Sequence, residues 1–302
     1  MGFTMITCMT YTLYNFPHIR PVCPIHSDVN ISNCDCGNNS HGTHPVNEYN
    51  NKEQLTLNDP QCIKLVTENL PLNSQGQMAV HHGAAGSYKF NDGDRWRPFP
   101  ITLNTVALYI GANTDGADGV WLLKEFPGLK LHVYEPVPQF FEQLLANYRV
   151  AGILTDAQQR HMHDYGLGQG YRTIFLDHAS IVGQATFIMD GVTNTTDKES
   201  LIPMRVRDTA AEIKYISMSE GKIQLLHINC EGCEWELFDS CIDANILKDI
   251  DILQFSLHYL PLYTEPAVMI QKYCKIYTSL SQTHTPEFVT PFGWERWVKK
   301  QQ

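Results

Sequence analysis

The chain has 302 residues, of which 43% are hydrophobic and 18% charged, a balance that excludes disorder throughout and allows one large core or two small ones. Its 22 Lys and Arg against 32 Asp and Glu leave a net charge of -10, the wrong sign for a phosphate-backbone partner, so no nucleic acid is expected. No stretch approaches the roughly 18 uninterrupted apolar residues of a membrane-spanning helix, so no span is expected either.

The first 100 residues are rich in Asn, His, Pro, Gly and Ser and hold no sustained period of 2 or 3.6, which predicts an irregular N-terminal extension. Met1 to Phe16 is fairly apolar, but its scattered threonines and a first basic residue at Arg20 do not make the charged start of a secretory signal. Of nine cysteines, five (Cys8, Cys23, Cys34, Cys36 and Cys62) fall in the first quarter. They suit disulfides in a secretory lumen or free thiols in the cytoplasm. Sequons at Asn30, Asn38 and Asn194 lean toward the secretory route, and the compartment stays open.

Cys23, His26, Cys34, Cys36, His41 and His44 match no familiar zinc spacing, and no metal site is expected. Asn58-Asp59-Pro60 followed by Ile63, Val66 and Leu70 predicts a short capped helix. Asn91-Asp92-Gly93-Asp94 reads as a turn before the domain that spans 101 to 302.

From residue 104 short apolar strands alternate with amphipathic helices, the βαβ pattern of a parallel sheet. Strands are predicted at Thr105 to Ile110, Leu131 to Glu135, Arg160 to Tyr165, Ile223 to Ile228 and Ile252 to Leu257. Helices are predicted at Asp118 to Phe126, through Phe140, Leu144 and Tyr148, from an Asp208 cap to about Met218, and over about 265 to 280. Tyr171 to Leu176 with Thr186 to Met189 reads as an inserted hairpin, and a strand pair closes the chain. The fold class expected is α/β, a Rossmann-like, doubly wound, mostly parallel sheet.

Tyr109-Ile110-Gly111-Ala112-Asn113 closes an apolar strand and opens a helix. Small residues there let a cofactor approach the backbone, and the helix start supplies favourable amide dipoles. Glu135 ends the next strand 24 positions after Gly111, near the spacing of about 20 for a carboxylate that accepts from two ribose hydroxyls. The alternative is a tight turn at Gly111 and a solvated strand end at Glu135. Gly111 is followed by Ala112, Asn113, Thr114, Asp115 and Gly116, then Ala117 and Asp118, which gives neither the dinucleotide fingerprint nor a P-loop.

Ile110-Gly111-Ala112-Asn113, then Tyr134-Glu135-Pro136-Val137-Pro138, then Glu231-Gly232-Cys233-Glu234 resemble, in order, the successive motifs of the FkbM-type methyltransferases over about residues 104 to 260. The resemblance implies a class I methyltransferase fold with S-adenosylmethionine held by Gly111, Ala112, Asn113 and Glu135, and with Gly166 and Leu167 of the Tyr165-Gly166-Leu167-Gly168 turn near the adenine. It also implies O-methylation of a small hydroxylated molecule or a sugar residue. The chain departs from the family at Tyr109 and Asn229, where Asp is usual, and at Ser256, where an acidic residue is usual.

Asn229, Glu231 and Glu234 at one strand end and His258 at the next fall on one rim of the sheet, where Glu231 or His258 could serve as a base. Alternatively Glu231 and Glu234 charge the start of the next helix, and His258 is a hydrogen-bonded residue beside the core. Two rival functions follow from the residues. The family departures fit an inactive adenosylmethionine binder, and Cys230 with Cys233 form a C-x-x-C that would suit a thiol redox protein.

Overall fold

The computed structural model describes residues 59–69, 101, 105–177, 201–258 and 266–301. The N-terminal Cys and His group, the three sequons, the Asn91–Asp94 turn and Thr186–Met189 lie outside the described residues.

Helix α1 (Pro60–Asn69) starts where the sequence predicts, because Asp59 Oδ1 accepts from the backbone N–H groups of Gln61 and Cys62 at 3.0 Å each. The domain then runs β1 (Val106–Ile110), α2 (Ala117–Glu125), β2 (Lys130–Tyr134), α3 (Pro138–Val150), α4 (Asp156–Gln159) and β3 (Met162–His163). A small insertion follows, β4 (Gly166–Gly168), β5 (Arg172–Asp177) and β6 (Leu201–Asp208). The chain closes with α5 (Thr209–Glu220), β7 (Ile223–Ile228), α6 (Glu234–Asp243), β8 (Ile252–Ser256), α7 (Pro266–Thr283), β9 (His284–Val289) and β10 (Trp294–Lys299).

The main sheet has the order β3-β2-β1-β7-β8-β10-β9. Strands β3, β2, β1, β7 and β8 are parallel, while β10 runs antiparallel to both β8 and β9. The chain steps outward from β1 to β3 and later returns to β1's other side with β7, so the topological switch point lies between β1 and β7. Registers of Ile110 with Tyr134 and with Ile228 bring three strand ends level there.

Each central strand is buried on both faces. Leu108, Ile110, Leu226, Ile228, Leu253 and Phe255 pack with Ile213 and Ile216 of α5, Phe238 of α6 and Tyr273 and Leu280 of α7. Ala107, Tyr109, Leu131, Val133 and Leu225 pack on the other face with Leu122 of α2 and Leu144 and Tyr148 of α3. At about 1.5–3 kcal/mol per fully buried large apolar side chain, these two layers fix the sheet between its helices. Cys62 and Val66 of α1 join the first layer, and Cys62 forms a disulfide with Cys274 of α7.

The first arm of the predicted hairpin, Tyr171 to Leu176, falls on β5. Strand β5 pairs antiparallel with β6, Arg172 opposite Val206, and β6 also pairs parallel with β4. Its Leu-Ile-Pro-Met-Arg-Val-Arg run mixes charges with apolar residues, which hid it, yet Ile202, Met204 and Val206 alternate inward as a half-buried strand requires. Asp208 caps α5 as predicted, its Oδ1 accepting from Ala211 N at 2.8 Å. Around this insertion Arg205 pairs with Asp164, Arg207 with Glu212 and Lys222 with Asp251.

Strand β10 buries Trp297 and Arg296. Arg296 Nε donates to Gln254 Oε1 at 2.7 Å, which ties this strand to β8.

Candidate functional site

At the switch point a cleft of about 260 Å³ opens over the carboxyl ends of β1, β2 and β7. Gly111, Ala112, Asn113 and Glu135 border it on one side, Asn229, Cys230 and Glu231 on another. Gly166 and Leu167 of β4, with Ile174 and Met204 of the inserted sheet, form an apolar wall. Of the residues the sequence places at this rim, His258 and Glu234 stay off the lining.

The turn after β1 is built for close approach. Gly111 has φ +85°, and a Cβ there would meet the carbonyl oxygen of Asn229 at 2.2 Å. Gly111 and Ala112 both donate their N–H to the carbonyl of Tyr134, at 3.1 and 3.2 Å. Asn113 takes the left-handed conformation, φ 56°, which Asn tolerates better than most residues.

Glu135 fastens this turn to the next strand. Its Oε2 accepts from Asn113 N at 2.8 Å and its Oε1 from Val137 N at 2.9 Å. Burial pushes its carboxyl up to about 7, against the two backbone hydrogen bonds, which favour the charged form. A carboxylate has about four lone-pair sites, so each oxygen keeps one for a ligand.

Beyond β7 a second constellation forms. Glu231 has φ 54°, and Glu234 is fully buried at the start of α6. Glu234 accepts from the N–H groups of Cys230 at 2.9 Å and Gly232 at 2.6 Å, and from His258 Nδ1 at 2.7 Å. The other His258 nitrogen, Nε2, lies 3.4 Å from Glu231 Oε1, and the His258 carbonyl accepts from Trp235 Nε1 at 2.9 Å. Burial pulls the His258 ring down, but Glu234 and then Glu231 outweigh it and raise the ring to about 9.

Both carboxylates thereby favour the charged form of the His258 ring, which sits between them. Glu234 behaves as the helix-start residue of the alternative reading. Cys230 and Cys233 are joined in a disulfide at the cleft edge.

Sequence reasoning missed a polar chain through the sheet. Asp118 lines the cleft from α2, and its Oδ2 lies 2.8 Å from His227 Nε2. His227 Nδ1 contacts Gln254 Nε2 at 3.3 Å, and Gln254 in turn accepts from Arg296. A His inside the mostly apolar Ile223–Ile228 strand was the available signal, because a buried ring must find partners.

Neither a known family profile nor a curated protein sequence matches the chain. Among solved structures it is similar to a methyltransferase FkbM from Methylobacillus flagellatus KT, at 15% identity and TM-score 0.38 over 65% of this chain and 43% of that one, less than half its length. It is also similar to a precorrin-6y C5,15-methyltransferase from Geobacter metallireducens GS-15, at 10% identity and TM-score 0.33 over 68% of this chain and 85% of that one. A fibrillarin pre-rRNA processing protein from Methanococcus jannaschii matches at 9% identity and TM-score 0.35, over 68% of this chain and 71% of that one. The doubly wound, mostly parallel sheet with its cleft at the switch point is a Rossmann-like fold.

Proposed function

We propose that this protein is an S-adenosylmethionine-dependent methyltransferase acting on a hydroxyl of a small molecule or sugar residue. The observation that carries the reading is the Glu135 carboxylate, clamped by Asn113 and Val137 N–H groups at the rim of a cleft that Gly111 keeps open. The donor set fits the cofactor: a buried acceptor for ribose hydroxyls, a small-residue turn, and an apolar wall for a base, with no cradle for a pyrophosphate.

When bound, S-adenosylmethionine supplies an electrophilic methyl group on a sulfonium. Glu135 would hold its ribose, the Gly111–Asn113 turn its main length, and Gly166 and Leu167 the adenine side. The protein's own part is to place an acceptor oxygen in line with the methyl carbon and keep out water. Asn229 and Glu231 border the cleft where that acceptor would enter. Glu231 is the carboxylate available to orient the acceptor hydroxyl and take its proton, with the His258 imidazolium holding Glu231 by charge. The Cys62–Cys274 and Cys230–Cys233 disulfides support an oxidising compartment, the secretory lumen of the two left open by the sequence.

The test is calorimetric titration of the full chain with S-adenosylmethionine and separately with NAD, repeated on Glu135→Ala. Micromolar binding of S-adenosylmethionine alone, weakened tenfold or more in the variant, a loss near 1.4 kcal/mol, is expected. Binding of NAD instead, or no binding to a folded protein, overturns the reading.

A further inference from the structure

Around His132, two residues before Tyr134 on β2, three side chains converge that the methyl-transfer reading does not use. His132 lies on β2, His161 just before β3, and Glu220 closes α5. His132 Nε2 lies 3.2 Å from Glu220 Oε1, and His161 Nε2 lies 3.4 Å from Glu220 Oε2. One ligand atom from each of the three lies within 4.8 Å of the others. A tetrahedral ion with bonds of about 2.0–2.1 Å separates its ligand atoms by about 3.3 Å.

The hydrogen bonds behind His132 set the direction of its lone pair. Tyr165 gives its one O–H to Glu212 Oε1 at 2.7 Å, so its oxygen accepts from His163 Nδ1 at 3.1 Å. His163 Nε2 is then the acceptor for His132 Nδ1–H at 3.0 Å. That tautomer leaves His132 Nε2 as a bare lone pair, and this buried atom makes no hydrogen bond among the described residues. A lone pair aimed at a carboxylate 3.2 Å away is repelled unless positive charge lies between them.

Glu220 adds a second sign of a missing cation. It sits in the last turn of α5, where the helix dipole is already negative and that turn holds no basic residue of its own. Lys130 approaches Glu220 Oε2 at 3.8 Å from a more exposed position. A proton on one ring would relieve one contact, whereas both rings face the same carboxylate.

We propose that His132, His161 and Glu220 form a divalent-cation site of the zinc type, with solvent completing the coordination at its exposed side. Two imidazoles and one carboxylate suit zinc. His163 acts as the outer partner that orients His132, the usual arrangement behind a ligating His. The ion clasps the sheet edge at β3 to the end of α5, and His163, stacked on Tyr134 at 4.5 Å, joins that clasp to a residue of the cleft. No sequence motif announces the site, because its ligands are 29 and 59 positions apart.

The experiment is zinc titration of the full chain against a competing chromophoric chelator, with cobalt(II) absorption as a second readout, on the wild type and on His161→Gln and Glu220→Gln. Near-ultraviolet circular dichroism verifies that both variants are folded. One equivalent of zinc is expected whose affinity falls at least tenfold in each variant, with a cobalt spectrum lacking thiolate charge-transfer bands. Unchanged affinity in both variants, or cobalt bound through thiolate alone, would place the metal on other groups such as the N-terminal cysteines and overturn the proposal. Absence of any zinc binding would leave a proton between His132 and Glu220 and overturn it equally.

Discussion

His258 Nδ1 donates to Glu234 Oε1 at 2.7 Å, and Glu234 also accepts from the Cys230 and Gly232 N–H groups. One buried carboxylate thus ties the loop after β7 to the end of β8. Glu234→Gln removes the charge that holds the imidazolium and disturbs two backbone bonds, and a loss of about 2–4 kcal/mol in urea unfolding at pH 7 is expected. A loss under half a kcal/mol, on the order of a surface substitution, would show that the pair does not organise this rim.

The same pair predicts a pH dependence. The His258 ring is raised to about 9 in the folded protein, above its unfolded value of about 6.5. Its contribution is therefore complete below pH 6.5 and disappears as pH rises through 9. Unfolding free energies of wild type and His258→Gln should differ most at pH 6 and converge by about pH 10. A gap that stays constant across that range would mean the ring is neutral throughout.

Glu135 titrates in the opposite sense. Its carboxyl is raised to about 7, so the folded protein alone holds the proton and loses stability as pH rises from the unfolded value of about 4.3 through 7. A ligand that donates hydroxyl hydrogen bonds to the carboxylate favours the charged form. S-adenosylmethionine should therefore bind more tightly as pH rises from 6 to 8, with proton release seen as buffer-dependent heat in calorimetry. Glu135→Gln should bind more weakly and lose that slope; a slope retained in the variant would assign the proton elsewhere.

Much of this architecture is legible in the sequence because parallel strands buried on both faces, such as Val106 to Ile110 and Ile223 to Ile228, write themselves as short apolar runs. Gly111 and Glu135 are legible for a related reason: a turn with φ +85° and a carboxylate at a strand end each restrict the residue type. Strand β6 was not, since Arg205 and Arg207 interrupt its apolar residues and its partners lie at β4 and β5. The ring state of His258 and the convergence of His132, His161 and Glu220 depend on distances between elements remote in sequence. No local pattern encodes those distances.

Gly111→Ala tests the cleft floor. The added Cβ would lie 2.2 Å from the Asn229 carbonyl oxygen and 2.5 Å from Cys230 Cα, both backbone atoms, on a residue at φ +85°. The left-handed conformation alone costs about 1–3 kcal/mol for a non-glycine residue, and relief of the clash must part the ends of β1 and β7. Thermal unfolding should drop by several degrees, and S-adenosylmethionine affinity should fall tenfold or more. A stable variant with full affinity would show that the two strand ends are not held at this spacing.

The Cys62–Cys274 disulfide closes a loop with a sequence separation of 212 and joins α1 to the buried side of α7. Cross-linking so long a loop removes much of the unfolded chain's freedom, and losing such a bond typically costs about 2–5 kcal/mol. Cys274→Ser should therefore lower the urea midpoint while leaving the slope set by the sheet domain largely in place. The variant also leaves Cys62 as a buried thiol against a hydroxyl, a further small cost. Because α1 contacts the domain through α7, limited proteolysis should cut first around residue 60 in the variant and not in the wild type. Equal midpoints and equal cleavage would mean that the packing of Cys62 and Val66 alone holds α1, and that the covalent bond adds little to it.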